Sequence, residues 1–592
     1  MIRFPYGLAN YEAIAEDGLY YIDRTDRIHT MEEAGRQLLL LRPRRFGKSL
    51  WLSTLENYYD LAKTERFDEL FGKRKIGRDP TPLRNRYFVM KWNFSAVEAL
   101  RGEDAIRGSL HRHINACIEE FVARYQKCLE HPIPIDEGDA LRSFRSLLTA
   151  VRRIGGKLYL LIDEYDNFAN EVLVSHQQGG QRYAELVGGE GAIKSLFKVI
   201  KDAAEGRGLE RVFITGVTPV VMADITSGYN VIKDISRQAE FDDLCGFHEE
   251  EVSDTLNQLV VQCEQPPEKA DEALRMMRTF YNGYNFSLRE ARGLVYNPTL
   301  ALYFFEHFQR DCEYPDEMLD SNLAMDRNRI EYVARLPHGQ TLVEAALAPQ
   351  EPILIRELED RFGVQMMLKT PKDYGFLASL LYYFGVLTYA GRSPQGKKAL
   401  AVPNLVVRKL YAERMREGLL PGYEVGRERE EVCDRFYSGG ELAPLAEFIE
   451  QRLLPVFDNR DLRWSNELTL KTAFLTTLFN DAAYIMDSET AIDKGYGDLS
   501  LIVRPDMRQY ALLDHLLEFK YIPLKDLPGL DSETLAKTPR AELRALPLVG
   551  EKLAEAEAQL DRYRDTLEWA YGGALKLRTH GLVGIGLTRL VW

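Results

Sequence analysis

Through the first 235 residues, apolar runs of strand length alternate with stretches whose apolar positions recur at helical spacing. Leu38 to Leu41 is an unbroken apolar run that stops at Arg42-Pro43, and a helical pattern begins after Ser49. Tyr20 to Thr25 is a short strand-like piece ahead of it. Arg84 to Phe94 predicts a second strand and Ile106 to Cys128 a helix. Lys157 to Ile162 reads as a fully buried strand, Ile193 to Ala204 as another helix, and Arg211 to Thr218 as a further strand. This alternation predicts a doubly wound α/β domain over 1–235, whose ligands lie at the carboxyl ends of the strands.

The pattern then changes. Residues 236–370 read as a helical, lid-like region, helical from Glu249 to Phe308 with a loop at Tyr281–Ser287. Residues 371–425 predict a helix at Phe376–Phe384, a strand at Gly385–Tyr389, a turn, a returning strand at Ala399–Val402 and a helix opened by Pro403-Asn404. Helix followed by hairpin is a winged-helix-like unit; such units bind DNA, but inside ATPases they also serve as packing or switch elements. Phe376–Phe384 is apolar, which disfavours a DNA-recognition helix. From 426 to 592 come helices over 425–454 and 464–478, a strand entered at Asp498 and running to Val503, and a returning strand from Leu512 to Lys520. A helix through Ala554–Gln559 follows.

Two places carry chemistry. At the first, Gly47-Lys48-Ser49 closes the loop between strand and helix. Gly47 lets the backbone approach phosphates, Lys48 reaches the β- and γ-phosphates, and Ser49 offers a hydroxyl to magnesium at a helix N-terminus. The first glycine of the usual pattern is replaced by Arg42, and a basic turn capping a helix is the competing reading. Asp163 and Glu164 end a buried strand, where the first acid suits the magnesium shell and the second suits orienting water. Thr215, at a strand tip, is placed either to sense the γ-phosphate or simply to end its strand.

At the second, Glu467 lies on an apolar helix face with Leu470 and Phe474, where a carboxylate needs a partner. Glu518 and Lys520 are two apart on one strand and share a face. A hairpin brings Asp498 to Glu518, and two carboxylates at one point repel unless a hard cation bridges them. Together with Lys520, that set suits metal-assisted phosphodiester hydrolysis. Without metal, the same repulsion predicts that Asp498→Ala leaves the fold unharmed or more stable. A solvated strand edge is the plainer meaning of Glu-x-Lys.

Composition narrows the partners. Of 592 residues, 45% are hydrophobic and 28% charged, with a formal net charge of −14. That balance disfavours a protein coated for duplex binding while leaving room for a local basic groove. No apolar run reaches the ~20 residues that span a bilayer, and the first residues lack the apolar core of a signal peptide. Cysteines 117, 128, 245, 263, 312 and 433 show no C-x-x-C spacing, so reduced thiols in a cytoplasmic protein are expected.

The motifs Pro5–Asn10, Tyr21–Thr25, Leu41–Ser49, Leu161–Asp166 and Ile214–Val217 resemble those of the AAA-ATPase-like family of bacterial proteins. Further family-like pieces stand at Cys245–Phe247, Tyr281–Tyr284 and Tyr296–Pro298. The last third looks like the PD-(D/E)XK nuclease-like domain that accompanies that family. The resemblance implies an α/β fold: a P-loop NTPase parallel sheet with helical lid and winged-helix-like unit, then an α/β nuclease-like domain. It implies ATP and Mg²⁺, with Mn²⁺ an alternative at the nuclease site. By the resemblance Lys48 and Ser49 carry over as phosphate and magnesium contacts and Asp163 with Glu164 as the acid pair, Glu164 being catalytic; Arg45, Gly47 and Thr215 are the further residues expected around the nucleotide. Asp498, Glu518 and Lys520 carry over as the nuclease core, with Glu467 at the metal and Gln559 in support. DNA is the partner expected ahead of RNA, with no membrane and a homo-oligomer left open. A nucleotide-dependent switch or scaffold, with an inactive nuclease-like domain, is the alternative. Residues 521–553 are longer than the family pattern leads one to expect, and Leu546–Leu553 resembles a helix-hairpin-helix phosphate contact; a plain helical insert is the simpler reading.

Overall fold

The computed structural model describes the chain except residues 98–102, 168–190, 221–230, 289–292, 320–326, 335, 337, 348–351, 361, 363–372, 459–466, 488–489 and 493–494. Two compact units divide it. The first holds Met1–Cys312, Arg335–Gly339 and Leu354–Leu400; the second holds Glu313–Ala334, Gln340–Ile353 and Ala401–Trp592. This differs from the four-part division at 235, 370 and 425 expected from the sequence. Most of the lid region and the helix-hairpin share one packed body with the nucleotide-type sheet. The second unit takes in the helix after the hairpin.

In the first unit, α1 (Tyr11–Glu16) and α2 (Arg27–Ala34) precede β1 (Gln37–Leu41) and α3 (Lys48–Tyr59). There follow β2 (Phe88–Asn93), α4 (Glu103–Arg124), α5 (Ala140–Arg153), β3 (Leu158–Asp163), α6 (Ala192–Ala204), β4 (Leu209–Gly216) and β5 (Lys233–Asp234). Every strand is parallel to its neighbours, in the order β2-β3-β4-β1-β5. Parallel strands need both faces covered, so β1 and β3 read as continuous apolar runs and are buried almost throughout. Tyr20–Thr25 is not a strand; it runs as irregular chain, with the Tyr20 amide on the Arg3 carbonyl. The apolar character there goes with half-buried Tyr20 and Tyr21, which pack against other rings.

Helices α7 (Glu249–Gln262), α8 (Glu268–Tyr281) and α9 (Pro298–Asp311) continue the first unit. Cys263 and Cys312, just past the ends of α7 and α9, are joined as a disulfide. The expectation of six reduced thiols is thereby corrected at this pair, which spacing could not flag because the fold brings the two helix ends together across 49 residues. The short strand β6 (Ile353–Ile355), α10 (Tyr374–Phe384), β7 (Thr388–Arg392) and β8 (Lys398–Ala401) form the helix-hairpin, with sheet order β6-β8-β7. The first hairpin strand starts three residues later than predicted, because Gly385 at φ 79° ends α10 and the chain must turn before it can pair. All of Phe376–Phe384 is buried, so α10 packs within its unit and offers no face to nucleic acid.

The second unit contains α11 (Leu405–Leu419), α12 (Tyr423–Gly439), α13 (Leu442–Arg452), α14 (Glu467–Leu478), β9 (Tyr484–Asp487), β10 (Leu499–Val503), β11 (Asp514–Ile522), α15 (Pro547–Tyr571), β12 (Leu577–Ile585) and β13 (Arg589–Val591). Its sheet order is β13-β12-β11-β10-β9, antiparallel except for β11 with β12. A parallel pair requires a crossover, and the stretch from Pro523 through α15 supplies it. Residues 521–553 are therefore part of that crossover. Two short helices, Ser532–Lys537 and Arg540–Arg544, bury Leu535 and Leu543 with Ile522, Val583, Ile585 and Val591. Gly550 lies inside α15 rather than in a hairpin between helices, so the helix-hairpin-helix likeness is not realised. At Gly584 a Cβ would come within 2.4 Å of Leu470 Cδ1; only glycine lets α14 approach β12 this closely.

Candidate functional site

The first candidate site lies at the carboxyl ends of β1, β4 and β3. The register sets Leu41 beside Gly216, and Ile162 beside Ile214, so the tips of the three strands end level. The acid-tipped β3 is not the direct neighbour of β1; β4 lies between them and brings Thr215 to Asp163. Thr215 Oγ1 donates to Asp163 Oδ1 at 2.5 Å, and the Glu164 amide donates to the same oxygen at 3.1 Å. Thr215 is thus an orienting partner of Asp163. Glu164 adopts φ 51°, an uncommon backbone for a non-glycine residue, which is seen most often at functional turns. Burial raises its carboxyl above the ordinary value, and Lys48 partly offsets this.

The loop after β1 carries two left-handed residues, Arg45 (φ 64°) and Gly47 (φ 85°). Gly47 precedes Lys48 at the start of α3, and Ser49 follows in the first turn, half-buried. Lys48 is buried, with Nζ 3.0 Å from the Arg42 carbonyl and 2.9 Å from that of Pro43. Burial lowers its pKa, while Asp163 and Glu164 pull it back up. A buried ammonium that donates to loop carbonyls is held where an anion would strengthen it. Ser49 and Asp163 supply a hydroxyl and a carboxylate, the oxygen donors a magnesium ion takes when phosphates and water fill its other positions.

Arg42 is turned into the protein. Its guanidinium is buried, donates to the carbonyls of Leu41, Ser236 and Phe241, and lies 4.2 Å over the Phe286 ring. It braces the loop where a glycine would leave a gap. Three partners were not evident in the sequence. Phe46 packs edge-on against Tyr284 and Phe286, and Thr299 Oγ1 donates to the Arg45 carbonyl at 2.8 Å. The aromatic Tyr281–Phe286 loop and the Asn297 cap of α9 were the only signals, and neither names its target without the fold. Asp166 accepts from the amides of Val217 and Thr218, fixing the turn after β3 to the end of β4.

Residues 5–226 match the family model described as a predicted AAA-ATPase. The matched stretch contains β1, the loop closed by Gly47-Lys48-Ser49, Asp163-Glu164 and Thr215. A protein from Azotobacter chroococcum mcd 1, described as an uncharacterized protein in the vnfD 5' region, is 28% identical over 306 residues. The match covers 51% of this chain and 52% of that relative, so the chain spans about half the length of the relative it matches. Among solved structures, the Aeropyrum pernix ORC1 protein in complex with DNA aligns at 14% identity and TM-score 0.24, covering 67% of this chain and 93% of that one. Cdc6p from Pyrobaculum aerophilum aligns at 12% and 0.25, covering 69% and 98%. The Aeropyrum pernix ORC2 protein, with ADPNP and ADP, aligns at 13% and 0.29, covering 68% and 93%. Likenesses this slight carry no function across.

In the second unit, the predicted carboxylates do converge. Leu499 pairs with Leu517, which sets Asp498 next to Glu518, and the Phe519 amide donates to Asp498 Oδ2 at 2.7 Å. Lys520 Nζ bonds Glu518 Oε1 at 2.9 Å and Gln559 Oε1 of α15 at 2.6 Å. Burial, then the nearby Asp498, raises the Glu518 carboxyl to about 7. Its Oε2 is buried and has no hydrogen-bond partner, an orphaned oxygen of the kind a hard cation satisfies.

Two expectations change here. Among the described residues no three of His, Cys, Asp and Glu gather as a metal cluster, so Glu467, Asp498 and Glu518 are not a closed triad. Lys471 lies one turn after Glu467, between it and Asp498. Its Nζ lies 2.5 Å from Asp498 Oδ1 and 3.6 Å from Glu467 Oε1. The i, i+4 spacing from Glu467 was visible in the sequence, but its reach to Asp498 was not. Asp498 is accordingly paired, and the expectation that its removal relieves repulsion is reversed. Among the described residues no helix is long and apolar enough to cross a membrane.

Proposed function

We propose that this chain binds and hydrolyses ATP in its AAA-ATPase-like region, and that its second unit is a metal-dependent phosphodiesterase acting on DNA. The observation that carries the first half is Lys48, whose buried ammonium rests on the Arg42 and Pro43 carbonyls beside Asp163. In this reading Lys48 transfers its hydrogen bonds to the β- and γ-phosphates. Thr215 fixes the Asp163 carboxylate, and Glu164 orients the attacking water. Ser49 and Asp163 would hold a magnesium ion, which would neutralise charge on the phosphates. ATP turnover, followed as phosphate release, tests this: it should be lost in Glu164→Gln while ATP binding persists. Equal turnover in that variant would contradict it.

The second half rests on Asp498, Glu518, Lys520 and Gln559 meeting at one hairpin, with Glu518 Oε2 unpartnered. There Asp498 and Glu518 would hold a Mg²⁺ or Mn²⁺ ion, which polarises a phosphodiester when bound. Lys520, steadied by Gln559, would position a water or stabilise charge on the phosphate. One observation favours the second reading, a nucleotide-dependent switch whose nuclease-like unit only binds: Lys471 already neutralises Asp498. Metal-dependent cleavage of DNA, lost in Lys520→Ala, separates the two readings.

A further inference from the structure

Lys471 is the unexplained charge of the second site. Its side chain is 7% exposed, as is fitting for an ion pair but not for a solvated lysine. It closes one lobe of the carboxylate group, touching Asp498 Oδ1 at 2.5 Å. The other lobe is incomplete: Lys520 satisfies Glu518 Oε1, while Glu518 Oε2 is buried without a partner. Asp498 Oδ2 is taken by the Phe519 amide. Oδ1 is therefore the Asp498 oxygen left for a metal, and Lys471 holds it. An ammonium and a divalent cation cannot share that oxygen, because like charges in a dry site repel strongly. Glu467 offers the ammonium somewhere to go. It lies four residues earlier on the same helix face, 3.6 Å away.

Resting on the metal-dependent reading above, we infer that Lys471 is a tethered internal cation that occupies part of the metal site. It must move from Asp498 toward Glu467 before a divalent ion binds. The device keeps the carboxylates neutralised in metal-free protein and sets metal affinity below what Asp498 and Glu518 alone would give.

The test is a calorimetric titration of the full chain with Mn²⁺ alone, comparing wild type with Lys471→Met, which keeps the length and apolar stem. The variant should bind Mn²⁺ tighter by about tenfold or more, the equivalent of about 1.4 kcal/mol. Equal or weaker affinity in the variant would overturn the inference and leave the metal site standing. Absence of binding in both proteins would overturn the inference together with the metal-dependent reading. If Lys471→Met does not fold, wild-type protein gives the same answer through acylation by an amine-reactive reagent, mapped by mass spectrometry. Mn²⁺ should raise modification of Lys471 severalfold as the ammonium leaves Asp498; unchanged or lowered modification would overturn the inference.

Discussion

Lys48 and Asp498 show how one residue's partners decide what its removal does. Lys48 is buried and donates to two loop carbonyls, a charged donor already aimed into the loop. Charge-assisted bonds are worth about 1.5–3 kcal/mol, so Lys48→Ala should weaken ATP binding by roughly ten- to hundredfold by calorimetry. Asp498 accepts the Phe519 amide and pairs with Lys471. Asp498→Ala should therefore destabilise metal-free protein by about 3 kcal/mol, read as a lower melting temperature, because it removes the 2.5 Å pair of a buried ammonium and leaves it the longer 3.6 Å contact with Glu467. An unchanged melting temperature would mean that Lys471 finds another partner at no cost. A third residue-scale outcome concerns His515 and His580, stacked with Phe436 in the second unit. Burial holds His515 near 3 and His580 near 4. Both are depressed below the unfolded value, so the unfolded chain takes up the protons first and stability is lost as pH falls below about 6.5. Between pH 7 and 5 the loss should be about 2 kcal/mol for His515, and less for the more exposed His580. Thermal melts across that range, with His515→Phe flattening the slope, check it.

At the scale of elements, strands and their tips were readable in the sequence while the braces between elements were not. β1, β3 and β4 announce themselves as apolar runs because parallel strands are buried on both faces. Lys48, Asp163, Glu164, Asp498, Glu518 and Lys520 stood out as candidates because polar groups of that chemistry end or line apolar runs, whereas Gln559 rested on the family resemblance. Thr299 and Phe286 were not, since they act on the phosphate loop from more than two hundred residues away. Lys471 was missed because it lies on an otherwise apolar helix, where only the fold shows that it reaches Asp498. The strand order was also hidden, as crossovers cannot be read from local pattern. Thr299 gives an element-scale prediction. Its hydroxyl holds the Arg45 carbonyl of the loop, so Thr299→Val should weaken ATP binding about fivefold, the worth of about one hydrogen bond. Thr299→Ser should restore it, and a loss unrescued by serine would show that packing of the methyl matters instead.

For the whole molecule, the proposed pairing of an ATPase with a nuclease-type unit in one chain carries a consequence for energetics. If nucleotide state biases the second site, the coupling is a difference in affinity between two states, typically ~1–3 kcal/mol or roughly 5–150-fold. Binding is reciprocal, so DNA should shift ATP affinity in Glu164→Gln by the same factor as ATP shifts DNA affinity. Titrations of that variant with and without saturating DNA measure it, and superimposable curves would mean two independent modules. The most direct measurement is cleavage of DNA with Mg²⁺ or Mn²⁺, in ATP and in ADP, by wild type, Lys48→Ala and Lys520→Ala. Wild type should cleave at different rates with the two nucleotides, Lys48→Ala should cleave at one rate in both, and Lys520→Ala should not cleave. Cleavage that survives in Lys520→Ala would place the chemistry elsewhere and contradict the proposal.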